Sequence, residues 1–438
     1  MIDLPDAAYL GQLRKYNDRF ACFITLLDSP LGASRRKLGP ESTRELAAIR
    51  VGIKDCIDID GVRGTWGSGV HRDRTPQVDA NVVARLREAG AVLVATTNLH
   101  EFAFGGTTQN VHYGNCRNAW DRRRVPGGSS GGSAVAVALG LCDMALGTDT
   151  GASVRLPASV NGVIGFRPTH GAFSSRGVMP VSPPNDTVGV LARDVSVVRR
   201  TFRALREFDR CDPHSRPGNA ARAEKIGPNG LRVGIATSLL EDCDPSIIQA
   251  FERGLLSCRA QGLELMDVAS RSFVDVASEL GAIVIADAAS FHRERLENQP
   301  DEIGAAVHAR IARGLTMAAV EYAGHLRWLE RYRLELARTF EEVDFLVAPT
   351  VPVSPPLIAD ADDAVTTTSL LSRNCWLAPA AGLPAITIPC GLDDNAVPIG
   401  FQVVGPRWSD MQLIGLAEAI QRGLADIGAP PEYLQAHT

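Results

Sequence analysis

Ser153 stands in the stretch GTDTGAS, where an apolar strand is predicted to run into a glycine-containing turn. Backbone N–H groups converge in turns of this kind and can stabilise the oxyanion that forms when a carbonyl group is attacked. A serine hydroxyl is a weak nucleophile until a neighbouring base takes its proton. Ser153 is therefore a candidate nucleophile, provided that the chain supplies a base.

Two residue types could supply that base. None of the nine histidines stands in a triad pattern, and the two nearest the glycine-rich region, His100 and His112, are interpreted as loop residues. Lys54 stands in VGIKDC, near the end of an apolar strand where charge is uncommon. Two interpretations of Lys54 remain open on the residues alone: an ion pair with Asp55 or another carboxylate, or a base.

A glycine-rich stretch, PGGSSGGSAVAVALG at 126–140, places Ser129, Ser130 and Ser133 directly before a predicted helix. Glycine loses much backbone entropy on folding, so this composition indicates an unusual torsion or a close approach of the backbone. A phosphate-binding loop at a helix N-terminus is one explanation. The stretch lacks both the lysine of G-x-x-x-x-G-K-[ST] and the G-x-G-x-x-G spacing, so neither phosphate motif is present.

The elements that would position these residues alternate between strand and helix. Alternating β-branched residues at 47–62 predict a strand that contains the lysine, and 142–158 predicts a strand that leads into the turn of Ser153. The stretch 79–98 predicts a helix, a glycine turn and a buried strand, and 194–208 predicts a helix. This alternation predicts an α/β fold.

The chain is interpreted as a single domain over 1–438. Amphipathic helix dominates 245–342, with GAIVIADAA ambiguous between helix and strand, and later strands are predicted within 343–420. The polar loop at 210–230 could mark a domain boundary, but strand signals before and after the helical block favour one large sheet. Another polar loop, DSPLGASRRKLGPEST, follows the first predicted helix.

The composition excludes several classes of function. Of 438 residues, 45% are hydrophobic and 22% charged, and the net charge of −5 provides no basic field for nucleic acid or an anionic membrane. No uncharged apolar run reaches about 18 residues, so no membrane-spanning helix is predicted. Nine cysteines without a C-x-x-C pair indicate reduced thiols and no metal site. The N-terminus does not have the pattern of a signal peptide, so we expect a cytoplasmic protein.

Four features taken together, in this order along the chain, resemble the amidase signature family. They are Lys54, the stretch 126–140, ALGTDTGASVRLPASVNGVIGFRPTHG and the late GLPAITIPCGL. The similarity is continuous over 47–205, the signature core, and returns at about 340–420. It therefore covers more than half of the chain.

The resemblance implies the fold and the absence of a cofactor. The family has a central mixed β-sheet flanked by helices on both faces. On this basis the helices of 245–342 lie on the substrate side, and 343–420 completes the sheet. The family's chemistry needs no metal and no organic cofactor, so none is expected here.

The resemblance also assigns a triad. In the family a lysine, a bridging serine on a cis peptide and a nucleophilic serine act together, and the matching residues are Lys54, Ser129 and Ser153. The two serines are 24 positions apart, which is typical of the family. Ser129 would relay the proton, which leaves Ser130 and Ser133 to hydrogen-bond the loop and cap its helix.

A lysine base that works near pH 7 needs a pKa well below its usual value of about 10.4. Burial without a close carboxylate would lower the pKa of Lys54 in this way. Adjacent side chains of a strand point to opposite faces of the sheet, so we expect Asp55 to point away from Lys54.

The oxyanion hole is assigned, on the same resemblance, to Thr150, Gly151, Ala152 and Ser153. The family's usual GTDTGGS is GTDTGAS here. Ala152 keeps its N–H group, so the hole can survive, but the methyl group narrows the site or favours a negative φ.

The substrate-binding residues implied by the resemblance are Ala103, Phe104 and Gly128. DTGASVRLPA, GFRPTHG and PVSPPNDTVGV most resemble the indoleacetamide and mandelamide hydrolase branch of the family. We therefore expect hydrolysis of a small, uncharged primary amide with an apolar or aromatic acyl group. Arg155 is interpreted as structural. The cations that could enter the site from the helical block are His292, Arg293, Arg295 and Arg327.

Other functions remain open. An allophanate- or carbamoyl-amide-type hydrolase is the nearest alternative. A glutaminase subunit of a tRNA-dependent amidotransferase would need protein partners, and its usual R-Q-P after the nucleophile is Arg155-Leu156-Pro157 here. A catalytically inactive scaffold is disfavoured because all three triad residues are present. The expected partner is a small-molecule amide, with neither nucleic acid nor membrane, and a homodimer is left open.

Overall fold

The computed structural model describes residues 6–27, 45–218, 230–361 and 364–433. The loop DSPLGASRRKLGPEST lies outside the described residues, as does the part of the second polar loop over 219–229.

Within these ranges eleven strands form one sheet. They are β1 (Phe23–Leu26), β2 (Arg50–Lys54), β3 (Val92–Thr97), β4 (Met144–Asp149), β5 (Ile164–Arg167), β6 (Thr187–Ala192), β7 (Arg232–Ala236), β8 (Glu264–Val268), β9 (Phe345–Pro349), β10 (Ala385–Leu392) and β11 (Pro398–Val404). The strand order is β1-β3-β2-β4-β6-β5-β10-β11-β9-β7-β8. Parallel pairs join β3, β2 and β4 on one side and β9, β7 and β8 on the other, and the pairs between them are antiparallel. The sheet is therefore mixed, as expected.

Helices flank this sheet. They are α1 (Asp6–Phe20), α2 (Asn81–Glu88), α3 (Gly131–Ala138), α4 (Arg155–Asn161), α5 (Val195–Leu205), α6 (Pro245–Ala260), α7 (Ser272–Asn298), α8 (Ala305–Ala312), α9 (Ala319–Glu342), α10 (Ala364–Ser372), α11 (Leu377–Ala380) and α12 (Asp410–Arg422).

Both faces of the central strands are buried, and successive residues of one strand enter different apolar clusters. In β3, Leu93 packs into the larger cluster, whereas Val92 and Val94 pack into the smaller one. Alternation of side chains along a strand produces this division. The apolar side chains of helix α3 belong to the smaller cluster. The helix lies so close to the end of β3 that a Cβ at Gly132 would stand 2.5 Å from Asn98 O. The central strands are thus covered by helices on both faces.

The structure resolves the ambiguity at GAIVIADAA, which lies inside the long helix α7. It also contains a strand that the sequence did not predict, β8, within the helical block. β8 pairs only with β7 at the end of the strand order, and all five of its side chains are at least partly exposed. An edge strand of this kind lacks the apolar alternation on which the sequence prediction depends.

Candidate active site

The carboxyl ends of two parallel strands bring together the lysine and a threonine. Lys54 ends β2, and Thr148 lies near the end of the neighbouring strand β4. Lys54 Nζ donates hydrogen bonds of 2.7 Å to Thr148 Oγ1 and to Ser129 Oγ. All three side chains are buried. The lysine of the predicted triad is thus in direct contact with the predicted bridging serine.

Burial lowers the pKa of Lys54 to about 8. Asp55 points away, as strand alternation predicts: its Oδ2 accepts hydrogen bonds from Thr65 N (2.7 Å) and Thr65 Oγ1 (2.6 Å). The carboxylate next in sequence therefore does not pair with the lysine. Burial in turn raises the pKa of Asp55 to about 6.

The backbone brings the glycine-rich loop next to the turn of Ser153. The peptide bond between Gly128 and Ser129 is cis, in agreement with the resemblance. Ser130 N donates a 3.2 Å hydrogen bond to Ser153 O. Ser153 itself is partly exposed and lines a cavity together with Gly128. The structure therefore places all three residues of the predicted triad near one another, at the carboxyl ends of β2 and β4.

The expectation that Ser130 and Ser133 cap the helix is wrong. Ser130 is the N-cap of α3, but its side chain makes no capping hydrogen bond. Its Oγ instead bonds to the backbone of Thr148, donating to O and accepting from N at 3.3 Å. Ser133 Oγ donates to Leu146 O at 3.1 Å. Both hydroxyls tie α3 to β4, because the helix packs directly on that strand.

A buried ion cluster fixes the turn that carries Ser153. The side chain of Arg155 binds Asp149 through Nε (3.0 Å) and Nη2 (2.8 Å), and Nη2 also donates to Gly151 O at 2.8 Å. Arg167 lies 3.3 Å from the same carboxylate. Burial would raise the pKa of Asp149, but the two arginines outweigh it and lower the pKa to about 2. Arg155 thus links Asp149 to the backbone of the turn at Gly151, and it is fully buried, which is consistent with a structural role.

A second carboxylate holds the other side of the turn. Thr150 Oγ1 donates a 2.6 Å hydrogen bond to Asp186 Oδ1. Asp186 Oδ2 accepts from Val181 N (2.8 Å) and Ser182 N (3.0 Å). Asp186 was not predicted as a site residue, because nothing in the sequence shows that the loop before β6 returns to this turn.

A cavity of about 520 Å³ opens over the turn. Its walls include every residue predicted for the oxyanion hole and for substrate binding: Ala103, Phe104, Gly128, Thr150, Gly151, Ala152 and Ser153. Residues of α7 and α8 form part of the wall, and Trp376 and Thr368 form another part. The cavity therefore joins the signature region, the helical block and the segment after β9.

Three arginines line this cavity, and none of them was predicted from the sequence: Arg310, Arg313 and Arg373. The four cations that were predicted, His292, Arg293, Arg295 and Arg327, are not among the described lining residues. The His292 ring packs 4.2 Å from that of Phe102, and the guanidinium of Arg295 lies 5.3 Å from the ring centre of Trp66. Arg310 and Arg313 are three positions apart, a spacing that predicts one helix face, but nothing in the sequence shows that this face meets the cavity.

Among the described residues, no group of three His, Cys, Asp or Glu side chains has the arrangement of a metal site. The described helices include none with the length and apolar character that a membrane span requires.

Comparisons with known proteins identify the family. The family model described as Amidase matches residues 7–414. The chain belongs to the amidase family. It is 33% identical over 420 residues to a glutamyl-tRNA(Gln) amidotransferase subunit from Symbiobacterium thermophilum, with 89% of this chain and 85% of that protein covered. It is also 33% identical to the 2-amino-5-chloromuconic acid deaminase of Comamonas testosteroni, with 94% and 87% covered.

Solved structures of amidase-family enzymes share the fold. An allophanate hydrolase of Kluyveromyces lactis superposes with a TM-score of 0.88 at 25% identity, covering 96% of this chain and 71% of that one. A 6-aminohexanoate cyclic dimer hydrolase superposes with a TM-score of 0.86 at 26% identity, covering 98% and 95%. The protein is accordingly an amidase-family hydrolase that acts on C–N bonds.

Proposed function

We propose that the protein hydrolyses a small primary amide to a carboxylic acid and ammonia through an acyl-enzyme on Ser153. The observation that carries the proposal is the hydrogen bond between Lys54 Nζ and Ser129 Oγ beside the turn of Ser153. Neutral Lys54 accepts the proton of Ser129 Oγ as Ser129 takes the proton of Ser153 Oγ. Ser153 Oγ then attacks the amide carbon, and the N–H groups of the turn stabilise the oxyanion.

The second half of the reaction returns the protons. The relay passes a proton to the amide nitrogen, the C–N bond breaks, and ammonia leaves. Water then attacks the acyl-enzyme, giving up its proton along the same relay, and the carboxylic acid departs as Ser153 recovers its hydrogen. No metal or organic cofactor takes part in this scheme.

Labelling of the nucleophile tests the proposal. A fluorophosphonate should form its adduct on Ser153, located by mass spectrometry, and Ser153→Ala should abolish both the adduct and ammonia release. Ser257→Ala, a buried serine bonded to Ile420 O, serves as the matched control and should keep both. An adduct on Ser129 or on a cysteine would contradict the assignment.

The lining of the cavity supports an apolar or aromatic acyl group. Phe104, Trp376, Val274 and Ile285 offer apolar surface. The described lining contains three arginines and no aspartate or glutamate, so a substrate with an ammonium group would face cations without a counter-ion. This charge pattern favours small aryl amides over glutamine, whose α-ammonium needs an acidic partner.

One observation favours a second candidate, an amide whose acyl chain ends in a carboxylate. Arg310 has no acidic partner within ion-pair distance among the described residues; its guanidinium lies 4.9 Å from the ring centre of Phe104, and its Nη1 donates to Phe104 O at 3.4 Å. Burial and the nearby Arg313 lower the pKa of Arg310 to about 10, so it remains charged at neutral pH. One of the similar proteins is named as a deaminase of 2-amino-5-chloromuconic acid, a compound that is itself a carboxylic acid, and this supports the second candidate.

Ammonia release separates the two candidates. Phenylacetamide, acetamide, glutamine and the monoamide of glutaric acid should be compared on the wild type and on Arg310→Gln. An aryl amidase prefers phenylacetamide, and Arg310→Gln changes this little. A carboxylate-binding enzyme prefers the glutaric monoamide, and Arg310→Gln abolishes the preference, whereas the remote Arg338→Gln does not. Glutamine as the best substrate would contradict both.

A further inference from the structure

Glu101 is a buried carboxylate outside the proposed triad. Its side chain is 2% exposed. It accepts hydrogen bonds from Ser68 Oγ (2.6 Å) and His112 Nε2 (3.2 Å) on Oε1, and from Gly304 N (2.8 Å) on Oε2. Burying a carboxylate is costly unless its oxygens are satisfied, and here three donors from separate segments satisfy it. Glu101 therefore joins parts of the chain that are far apart in sequence.

The bond between Glu101 and Gly304 joins two segments that each contribute to the cavity wall. Glu101 lies two residues before Ala103 and three before Phe104, and both of these line the cavity. Gly304 precedes α8, which carries Arg310. The bond between Glu101 and Gly304 therefore fixes the start of α8 relative to the segment of Phe104. At the far end of the same helix, Arg310 contacts Phe104.

The segment of Phe104 has a backbone that its surroundings must hold in place. Phe102 (φ 52°) and Ala103 (φ 54°) both adopt the left-handed region, which residues with a side chain rarely enter. His100 N donates to Ser129 O at 3.1 Å, and Phe102 N donates to Trp66 O at 2.9 Å. The side chain of Glu101 adds the link to α8 that these backbone bonds do not provide.

We infer that Glu101 is a positioning residue for the acyl end of the substrate. Its bond to Gly304 sets the position of α8, and the position of α8 sets the distance between Phe104 and Arg310. It does not touch the reacting atoms, so it sets substrate affinity rather than the rate of acylation. The inference rests on the proposed function, because it assigns a role to the wall of that same cavity.

Two variants disturb this bond from opposite sides. Glu101→Ala removes the acceptor. Gly304→Ala adds a Cβ that would stand 2.8 Å from Glu101 Oε2, and since Gly304 has φ −56°, its backbone suits alanine. Both should raise KM about tenfold for phenylacetamide or the monoamide of glutaric acid, and leave KM for acetamide and the rate of fluorophosphonate labelling within about twofold.

Two further variants separate positioning from general stability. Glu101→Gln should restore the wild-type KM, since its amide oxygen can accept from Gly304 N while its NH₂ group faces Ser68 and His112. Asp58→Ala removes another largely buried carboxylate, one that binds Arg74 and not the cavity, and it should leave KM unchanged. Equal losses for acetamide and the longer amides, or a Gly304→Ala variant that behaves as wild type, would overturn the inference.

Hydrogen exchange tests the positioning without catalysis. Amides of α8 should exchange faster in Glu101→Ala than in the wild type or in Asp58→Ala, and those of α12 should not. Unchanged exchange in α8 would overturn the inference. If the wild type released no ammonia from any amide, the proposed function would fail, and this measurement would still decide whether Glu101 holds α8.

Discussion

Lys54 and Thr148 stand 2.7 Å apart, Nζ to Oγ1, at the ends of two neighbouring parallel strands. Thr148 and Ser129 each accept a hydrogen bond from the amine through a hydroxyl oxygen. The carboxylate of Asp55, the next residue in sequence, points away and binds Thr65. A hydroxyl orients an amine without stabilising its positive charge as a carboxylate does. The two hydroxyls therefore hold the lysine in place while burial keeps its pKa low.

Lys54→Met should lower kcat by roughly 10²–10⁴-fold, the range of general base catalysis. The amine is a base only when neutral, so the wild-type rate should rise with pH through the lysine pKa of about 8 and then level off. The variant should lose this rise. A pH–rate profile of ammonia release measures both effects, and a variant with near-normal activity at neutral pH would rule out the lysine base.

The same lysine should make stability depend on pH. Its pKa is lowered to about 8 in the folded protein, whereas an unfolded chain has the usual value of about 10.4, so between these values the unfolded state binds more protons. The free energy of unfolding should therefore rise with pH in this window, and between pH 7.5 and 9.5 it should rise by about 2 kcal/mol relative to Lys54→Met. Urea unfolding of both proteins at pH 7.5 and 9.5 tests this, and parallel changes would contradict it.

Arg155→Met should lower the free energy of unfolding by about 3 kcal/mol, at the lower end of the range for a broken buried ion pair. Arg167 still faces Asp149 and compensates in part. The turn should also lose the bond to Gly151 O, so fluorophosphonate labelling of Ser153 should slow.

The control for this prediction is Arg271→Met, which breaks an exposed i, i+4 pair with Asp275 and should change stability by less than about 0.5 kcal/mol. Urea denaturation compares the two variants. If Arg155→Met cost no more stability than Arg271→Met, the buried cluster would not be what fixes the turn.

Local patterns predicted some features of this site, and the resemblance predicted the others. Strand alternation alone predicted that Asp55 faces away from Lys54, since the period of a strand is two. The resemblance supplied what no local pattern contains: the spacing of Ser129 and Ser153 across a loop, and the cis bond before Ser129. The glycines of that loop indicated a close approach, and Gly132 shows one against Asn98.

The part of the cavity wall that lies outside the signature core could not be predicted in the same way. Which face of α8 meets the cavity depends on how that helix packs against the rest of the protein, so the position of Arg310 does not follow from its neighbours in sequence. Trp376 is contributed by a segment more than 220 residues from the turn that it covers. Contacts of this range depend on the complete fold, and the cations predicted from the sequence were therefore the wrong ones.

In the turn beneath Trp376, substitution should be tolerated at Ala152 but not at Gly151. A Cβ at Gly151 would stand 2.7 Å from the indole ring of Trp376, whose Nε1 is held by Ser372 Oγ at 2.9 Å, so either the ring or the turn must shift. Gly151→Ala should lower kcat/KM at least 100-fold, as expected when oxyanion donors are displaced. Ala152→Gly, which only removes a methyl group from the cavity wall, should stay within about tenfold. Trp376→Leu should partly rescue Gly151→Ala by removing the clash, and a double-mutant cycle on ammonia release measures this coupling; strictly additive losses would show that the ring does not constrain Gly151.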